Sequence, residues 1–131
     1  MKEIGVKRAI EEVSIDGKQF EIDLSDDKKQ KYLETGARLK KVGKELEEVA
    51  DIEDEQTLKD ALDKIKKETE AITTELLGEG AFDYIYEKTN ESSDYTLMVL
   101  SDVQEYIFDR QQELYKEKFE KKKAKYVKKK R

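Results

Sequence analysis

The sequence predicts a mainly α protein with a small β part: a bundle of three to four helices carrying an N-terminal β-hairpin. Three observations lead there. Apolar residues recur at helical spacing through three long stretches, one short stretch alternates strictly around an Asp-Gly pair, and the chain has no proline to interrupt either pattern. Its 131 residues suit one domain, expected over 1–120, followed by a basic tail at 121–131 expected to be frayed or disordered. With 45% of residues charged and 36% hydrophobic, folding requires the apolar residues to gather into stripes.

The hairpin comes first, at about 11–24. Val13 and Ile15 alternate with Ser14, Asp16-Gly17 supplies a turn that tolerates positive φ, and Phe20 and Ile22 alternate with Glu21. A two-residue loop sets Ile15 opposite Lys18 and Val13 opposite Phe20, so Val13, Ile15, Phe20 and Ile22 share one apolar face. A lone hairpin is marginal in water, so it must either lie on helices of its own chain or extend a sheet with another subunit.

Ser25, followed by Asp26 and Asp27, reads as the N-cap of a helix with Tyr32, Leu33, Gly36, Leu39, Val42 or Gly43, Leu46, Val49 and Ala50 on its stripe. Gly36 and Gly43 each cost about 1 kcal/mol against alanine in a helix interior. Either close approach of another backbone offsets that cost or the helix is locally weak.

Residues 51–54 break the pattern, and a second helix is expected over 55–77 with Leu58, Leu62, Ile65, Thr69, Ile72 and Leu76 on one side and Gly78 ending it. Gly78-Glu79-Gly80 is a short link, without the preceding strand or the Lys-Ser/Thr of a phosphate loop. A compact helix at 81–88 follows, carrying Phe82, Tyr84, Ile85 and Tyr86. Because residues two apart point away from each other, Tyr84 and Tyr86 cannot both join Phe82 and Ile85 on the buried side. After a polar loop, Ser93 or Asp94 caps the last helix, in which Leu97, Leu100, Val103, Ile107, Leu114 and Phe119 form the stripe expected to complete the core.

The chemistry is restricted by what is missing. Without cysteine there are no disulfides or thiolate metal sites, and without histidine the commonest metal ligand and general base are lost. No carboxylate pair stands in an apolar surround that would shift its pKa. The expectation is a protein that is not an enzyme and that uses no cofactor or metal. Met1 to Glu12 is interrupted by charge every few residues and no apolar run matches a membrane span, so no membrane association is expected and the cytoplasm is the expected compartment.

Net charge is −5 but unevenly placed. From Lys116 to Arg131 ten basic residues stand against Glu117 and Glu120, a net of +8, leaving −13 on the rest. A basic run interleaved with Phe119 and Tyr126 is one signature of nucleic-acid binding. Against it stand the acidic body and the simpler reading of a solvated helix end whose cations suit the C-terminal dipole.

The hairpin Val-Ser-Ile-Asp-Gly-Lys-Gln-Phe-Glu-Ile-Asp-Leu at 13–24, the capped helix from Ser25, the segment Leu76-Leu77-Gly78-Glu79-Gly80-Ala81-Phe82 and the long closing helix together resemble the small tail assembly chaperones of long-tailed phages and prophages of Gram-positive bacteria. The resemblance spans most of the chain and is one of pattern and order. It implies a homo-oligomer that binds the helical tape-measure protein, and possibly the tail tube protein, keeps its client soluble in the host cytoplasm and is absent from the mature virion. It also implies a longer product made by programmed frameshifting, for which the A-rich codons of Lys121 to Lys123 and Lys128 to Lys130 would supply a slippery site. Candidate surfaces for client contact or self-association are Val13, Ile15, Phe20 and Ile22, the Gly36 and Gly43 side, and Phe82, Tyr84 and Tyr86. The alternatives are a generic helical scaffold or regulator, and a nucleic-acid-binding protein acting through its basic tail.

Overall fold

A computed structural model describes residues 1–129, with the side chains of 118, 119 and 121–129 outside that description. It is mainly helical behind an N-terminal hairpin. In chain order the elements are β1 (Ile10–Ile15), β2 (Lys18–Asp23), α1 (Asp26–Val49), α2 (Glu55–Leu77), α3 (Ala81–Lys88) and α4 (Ser93–Lys129). The chain forms two compact units, Met1–Ser101 and Asp102–Arg131.

β1 and β2 pair antiparallel in the register the turn dictates, with Val13 opposite Phe20 and Ile15 opposite Lys18. Asp16 (φ 47°) and Gly17 (φ 88°) both adopt positive φ, the conformation of the two-residue turn whose twist matches that of the strands. Phe20 and Ile22 are buried, while Val13 and Ile15 are half-buried at the margin of the same face.

The first unit is built on α2, which touches α1, α3 and β2. Its inner face buries Ile65, Thr69, Ile72, Thr73, Leu76 and Leu77. Two of these are polar, and a buried hydroxyl without a partner costs about 1–3 kcal/mol. Here the Thr69 hydroxyl donates to the Ile65 carbonyl and the Thr73 hydroxyl to the Thr69 carbonyl, both at 2.7 Å, so each is satisfied within its own helix. Thr35 on α1 does the same with the Lys31 carbonyl at 2.7 Å, beside buried Leu39 and Val42. Arg38 on α1 reaches the carboxylates of Glu68 (3.6 Å) and Glu75 on α2, tying the rims of the two helices.

Two leucines expected on the buried stripes lie outside them. Leu33 is 64% exposed because the buried row of α1 runs through Thr35, Leu39 and Val42, and a residue two before Thr35 points away from it. Leu62 is 43% exposed on α2, where burial falls off toward the N-terminus. An added Cβ at Gly43 would meet nothing within 4 Å, so no backbone of this chain approaches closely there. On α4, Thr96, Leu97, Leu100, Val103 and Ile107 are buried and Leu114 is half-buried. The backbone stays helical to Lys129. The side chain of Phe119 and those of the expected frayed tail lie outside the described residues.

Helix starts differ in detail from expectation. Ser25 precedes α1 without a side-chain capping bond. Instead the Asp23 carboxylate accepts from the Ser25 amide at 2.9 Å, and that bond with the Ser25 amide, then one with its side chain, holds the Asp23 carboxyl below its ordinary value. For α4 the capping side chain is Ser92, which accepts from the Tyr95 amide at 3.1 Å, one residue ahead of the expected Ser93 or Asp94. At α2, Asp54 accepts from the Thr57 hydroxyl at 2.7 Å and the Thr57 amide at 2.9 Å, and these two bonds, in that order, lower its pKa. Gly78 (φ 98°) ends α2 as expected.

Two measurements test this construction. Ile72→Ala, at a fully buried site on α2, costs about 2–5 kcal/mol in urea denaturation, while Leu62→Ala costs below about 1 kcal/mol; equal effects would place the core elsewhere. Because folding lowers the Asp54 pKa, its cap contributes fully above the ordinary value of 3.8 and is lost as pH falls through the folded value. Asp54→Ala therefore lowers the melting temperature at neutral pH, and the difference from the native chain closes in strong acid.

Candidate functional site

The hairpin turn is held by a cluster around Tyr84. Its position on α3, two residues after Phe82 and one before Ile85, leaves the ring half-buried while those two neighbours fill the core. The Tyr84 hydroxyl donates to the Asp16 carbonyl at 2.6 Å, and its ring tilts against Phe20 with centroids 6.2 Å apart. Lys18 Nζ lies 5.1 Å from the Tyr84 centroid and 5.5 Å from that of Phe20. Lys88 Nζ lies 5.6 Å from the Tyr84 ring and 3.9 Å from Asp16 Oδ2. Exposed cation–π contacts contribute roughly 0.5–1 kcal/mol each, the phenol hydrogen bond about 0.5–1.5 kcal/mol, and an ion pair as open as Lys88–Asp16 less, so the turn is held by several contacts of similar size.

The second aromatic contact lies within α3, on the side that faces α2. Phe82 stacks on Tyr86 at 4.9 Å, and Lys66 Nζ of α2 stands 4.9 Å from the Tyr86 ring. Tyr84 thus faces the hairpin and Tyr86 faces α2, the split that their spacing requires.

A cleft of about 350 Å3 with a mixed apolar and charged lining opens between β2, the start of α1 and the end of α2, where Ile22, Tyr32, Thr35 and Leu76 form part of its wall. Charges of both signs line it, Lys28 and Lys31 with Glu21, Asp23 and Glu75. Burial pushes the pKa of the Tyr32 phenol upward. No group of three or more His, Cys, Asp or Glu among the described residues is arranged to hold a metal.

The nine candidate residues fall into different settings. Phe20, Ile22 and Phe82 are buried in the core of their own chain, Val13 and Ile15 border it, and Tyr84 and Tyr86 are engaged within the first unit as described. Gly36 and Gly43 are half-buried on α1. Exposed apolar side chains lie elsewhere: besides Ile4 and Val6 ahead of the hairpin and the leucines Leu33 and Leu62, those on α4 are Tyr95 (61%) and Met98 (58%) at its start and Tyr106, Phe108 and Tyr115 further along. The α4 residues lie off the buried stripe, and an apolar residue off the stripe was the available signal.

If the Tyr84 hydroxyl holds the turn, Tyr84→Phe costs about 0.5–1.5 kcal/mol. The loss appears first as faster amide hydrogen exchange in β1 and β2, with α2 unchanged. Uniform acceleration across the chain would mean that the bond serves the whole fold.

No helix among the described residues is long and apolar enough to cross a membrane. No protein-family model matches the chain, and neither a curated protein nor a solved structure matches it.

Proposed function

We propose that this chain is a tail assembly chaperone of a long-tailed phage or prophage of Gram-positive bacteria, which binds the tape-measure protein and keeps it soluble until the tail tube assembles around it. The tail tube protein is a second partner, the site of action is the host cytoplasm, and the chaperone leaves before the particle is complete. The observation that carries this reading is the order of elements: an Asp-Gly hairpin, a long helix opening directly after it, the Gly78 to Gly80 link into a short aromatic helix, and a long closing helix.

The surface chemistry is compatible with such a client. A long amphipathic helix is captured through apolar side chains at three- and four-residue spacing, with polar rims that keep the complex in solution. Tyr95 and Met98 stand three residues apart on α4, both more than half exposed. Rim charge is supplied in abundance by a chain in which 45% of residues are charged.

Co-expression tests the proposal. With the large coiled-coil protein encoded immediately downstream, the full chain raises the client's soluble yield several-fold and copurifies with it, and Tyr95→Ser with Met98→Ser reduces both effects. Equal client solubility with and without the chain would sink the proposal and leave a helical scaffold of another kind.

A further inference from the structure

We propose that residues 2–8 form a strap that folds back from the start of the hairpin over the cleft between β2, α1 and the end of α2, seating Ile4 and Val6 on its apolar wall and controlling access to it. The proposal does not depend on the tape-measure reading.

The strap is tethered at the cleft. The Leu24 amide donates to the Ala9 carbonyl at 2.8 Å, so the segment leaves the hairpin beside Asp23, which lines the cleft. From that anchor, at about 3.3 Å per extended residue, Val6 reaches about 10 Å and Ile4 about 17 Å. Lys28 and Tyr32, on the cleft wall, stand in the first turns of α1, which opens at Asp26 and so lies within that reach.

The described conformation is the open one, with residues 1–9 exposed. Ile4 is 78% exposed and Val6 90%. Separated by Gly5 alone, the two side chains point to one side of an extended chain and enter a groove together. Ile22, Tyr32, Leu76 and Leu77 offer them an apolar wall, in a cleft whose 350 Å3 falls within the range of ligand sites.

Charge favours the same closure. Residues 2–8 carry Lys2, Lys7 and Arg8 against Glu3, a net of +2, while the cleft carries Glu21, Asp23 and Glu75 against Lys28 and Lys31, a net of −1. The Asp23 carboxyl is held below its ordinary value by the Ser25 amide first and the Ser25 side chain second, and the charges of Lys28 and Arg8 add to that effect. Arg8 therefore already stands close enough to the rim to be felt there.

The tether also selects the occupant. A segment joined to the cleft by a few residues is present at an effective concentration of the order of millimolar, an advantage that a free peptide of the same composition lacks. Closing buries two aliphatic side chains but orders the residues between them and Ala9, and these opposing contributions are of similar size. The strap accordingly exchanges between open and closed, and any other occupant of the cleft has to displace it.

The full chain, which has neither cysteine nor tryptophan, allows a direct test, with circular dichroism confirming that each variant is folded. Ile4→Cys with Thr74→Cys, on the α2 wall, forms an intramolecular disulfide about tenfold faster in a glutathione buffer than Ile4→Cys with Glu12→Cys, which lies outside the cleft but within reach of the segment. Val6→Trp supplies a single indole whose emission lies to the blue of free tryptophan, and adding Thr74→Lys removes that shift. Ile4→Ser with Val6→Ser speeds tryptic cleavage after Lys7 and Arg8 several-fold. Equal disulfide rates for the two pairs, disulfides formed between chains in preference to within one, a fully solvated indole, or cleavage indifferent to the serine pair would each overturn the proposal.

Discussion

The inner face of α2 is the surface on which the first unit is assembled. β2, α1 and α3 all touch this helix, and its buried row combines Ile65, Ile72 and Leu76 with Thr69 and Thr73. The threonines make the arrangement possible because their hydroxyls return to carbonyls of their own helix. Neighbouring elements then meet methyl groups and are not required to supply a hydrogen-bond partner at a fixed place. Among the described residues, no buried side-chain nitrogen or oxygen lacks a partner. The inner face of α2 is therefore specified by shape, and its buried polar groups impose no demands across helices.

Polar specificity has moved to the rims. Arg38 links α1 to Glu68 and Glu75, and the Tyr84 cluster links the hairpin turn to α3. Contacts of this kind contribute little individually when they are open to solvent. They set angles at the edge of a core whose burial supplies most of the favourable free energy. This division leaves the outer faces of the helices free to carry charge and isolated aromatic residues without endangering the fold.

The hairpin register was legible in the sequence because it is a local quantity: alternation names the face, and Asp16-Gly17 names the pairing. Helix limits at 55–77 and 81–88 were legible for the same reason, through Gly78, Gly80 and the polar breaks. Burial along each helix was less so. Thr35 and Thr73 are polar by type, yet they fall on the buried rows of their helices and back-bonding satisfies their hydroxyls. Leu33 is apolar by type, yet two residues before Thr35 it points away from the buried row. Candidate contact residues were read from apolar character, which cannot separate Phe20, Ile22 and Phe82, claimed by their own core, from Tyr95 and Met98, which are not. Nor could local pattern reveal that Asp16, Lys18 and Lys88 converge on Tyr84.

The Tyr84–Asp16 hydrogen bond joins residues 68 apart in sequence. That separation carries a consequence for biosynthesis. At roughly 5–20 residues per second, several seconds pass between the appearance of the hairpin turn and that of the tyrosine that latches it. During that interval the strands have no α3 to close over their turn. A two-stranded ribbon with open edges is the part of a nascent chain most ready to pair with another ribbon. Lys18, already present in the ribbon beside the turn, is the charge that opposes pairing between nascent chains on the same message during that interval, and Lys88 joins it only when α3 closes over the turn.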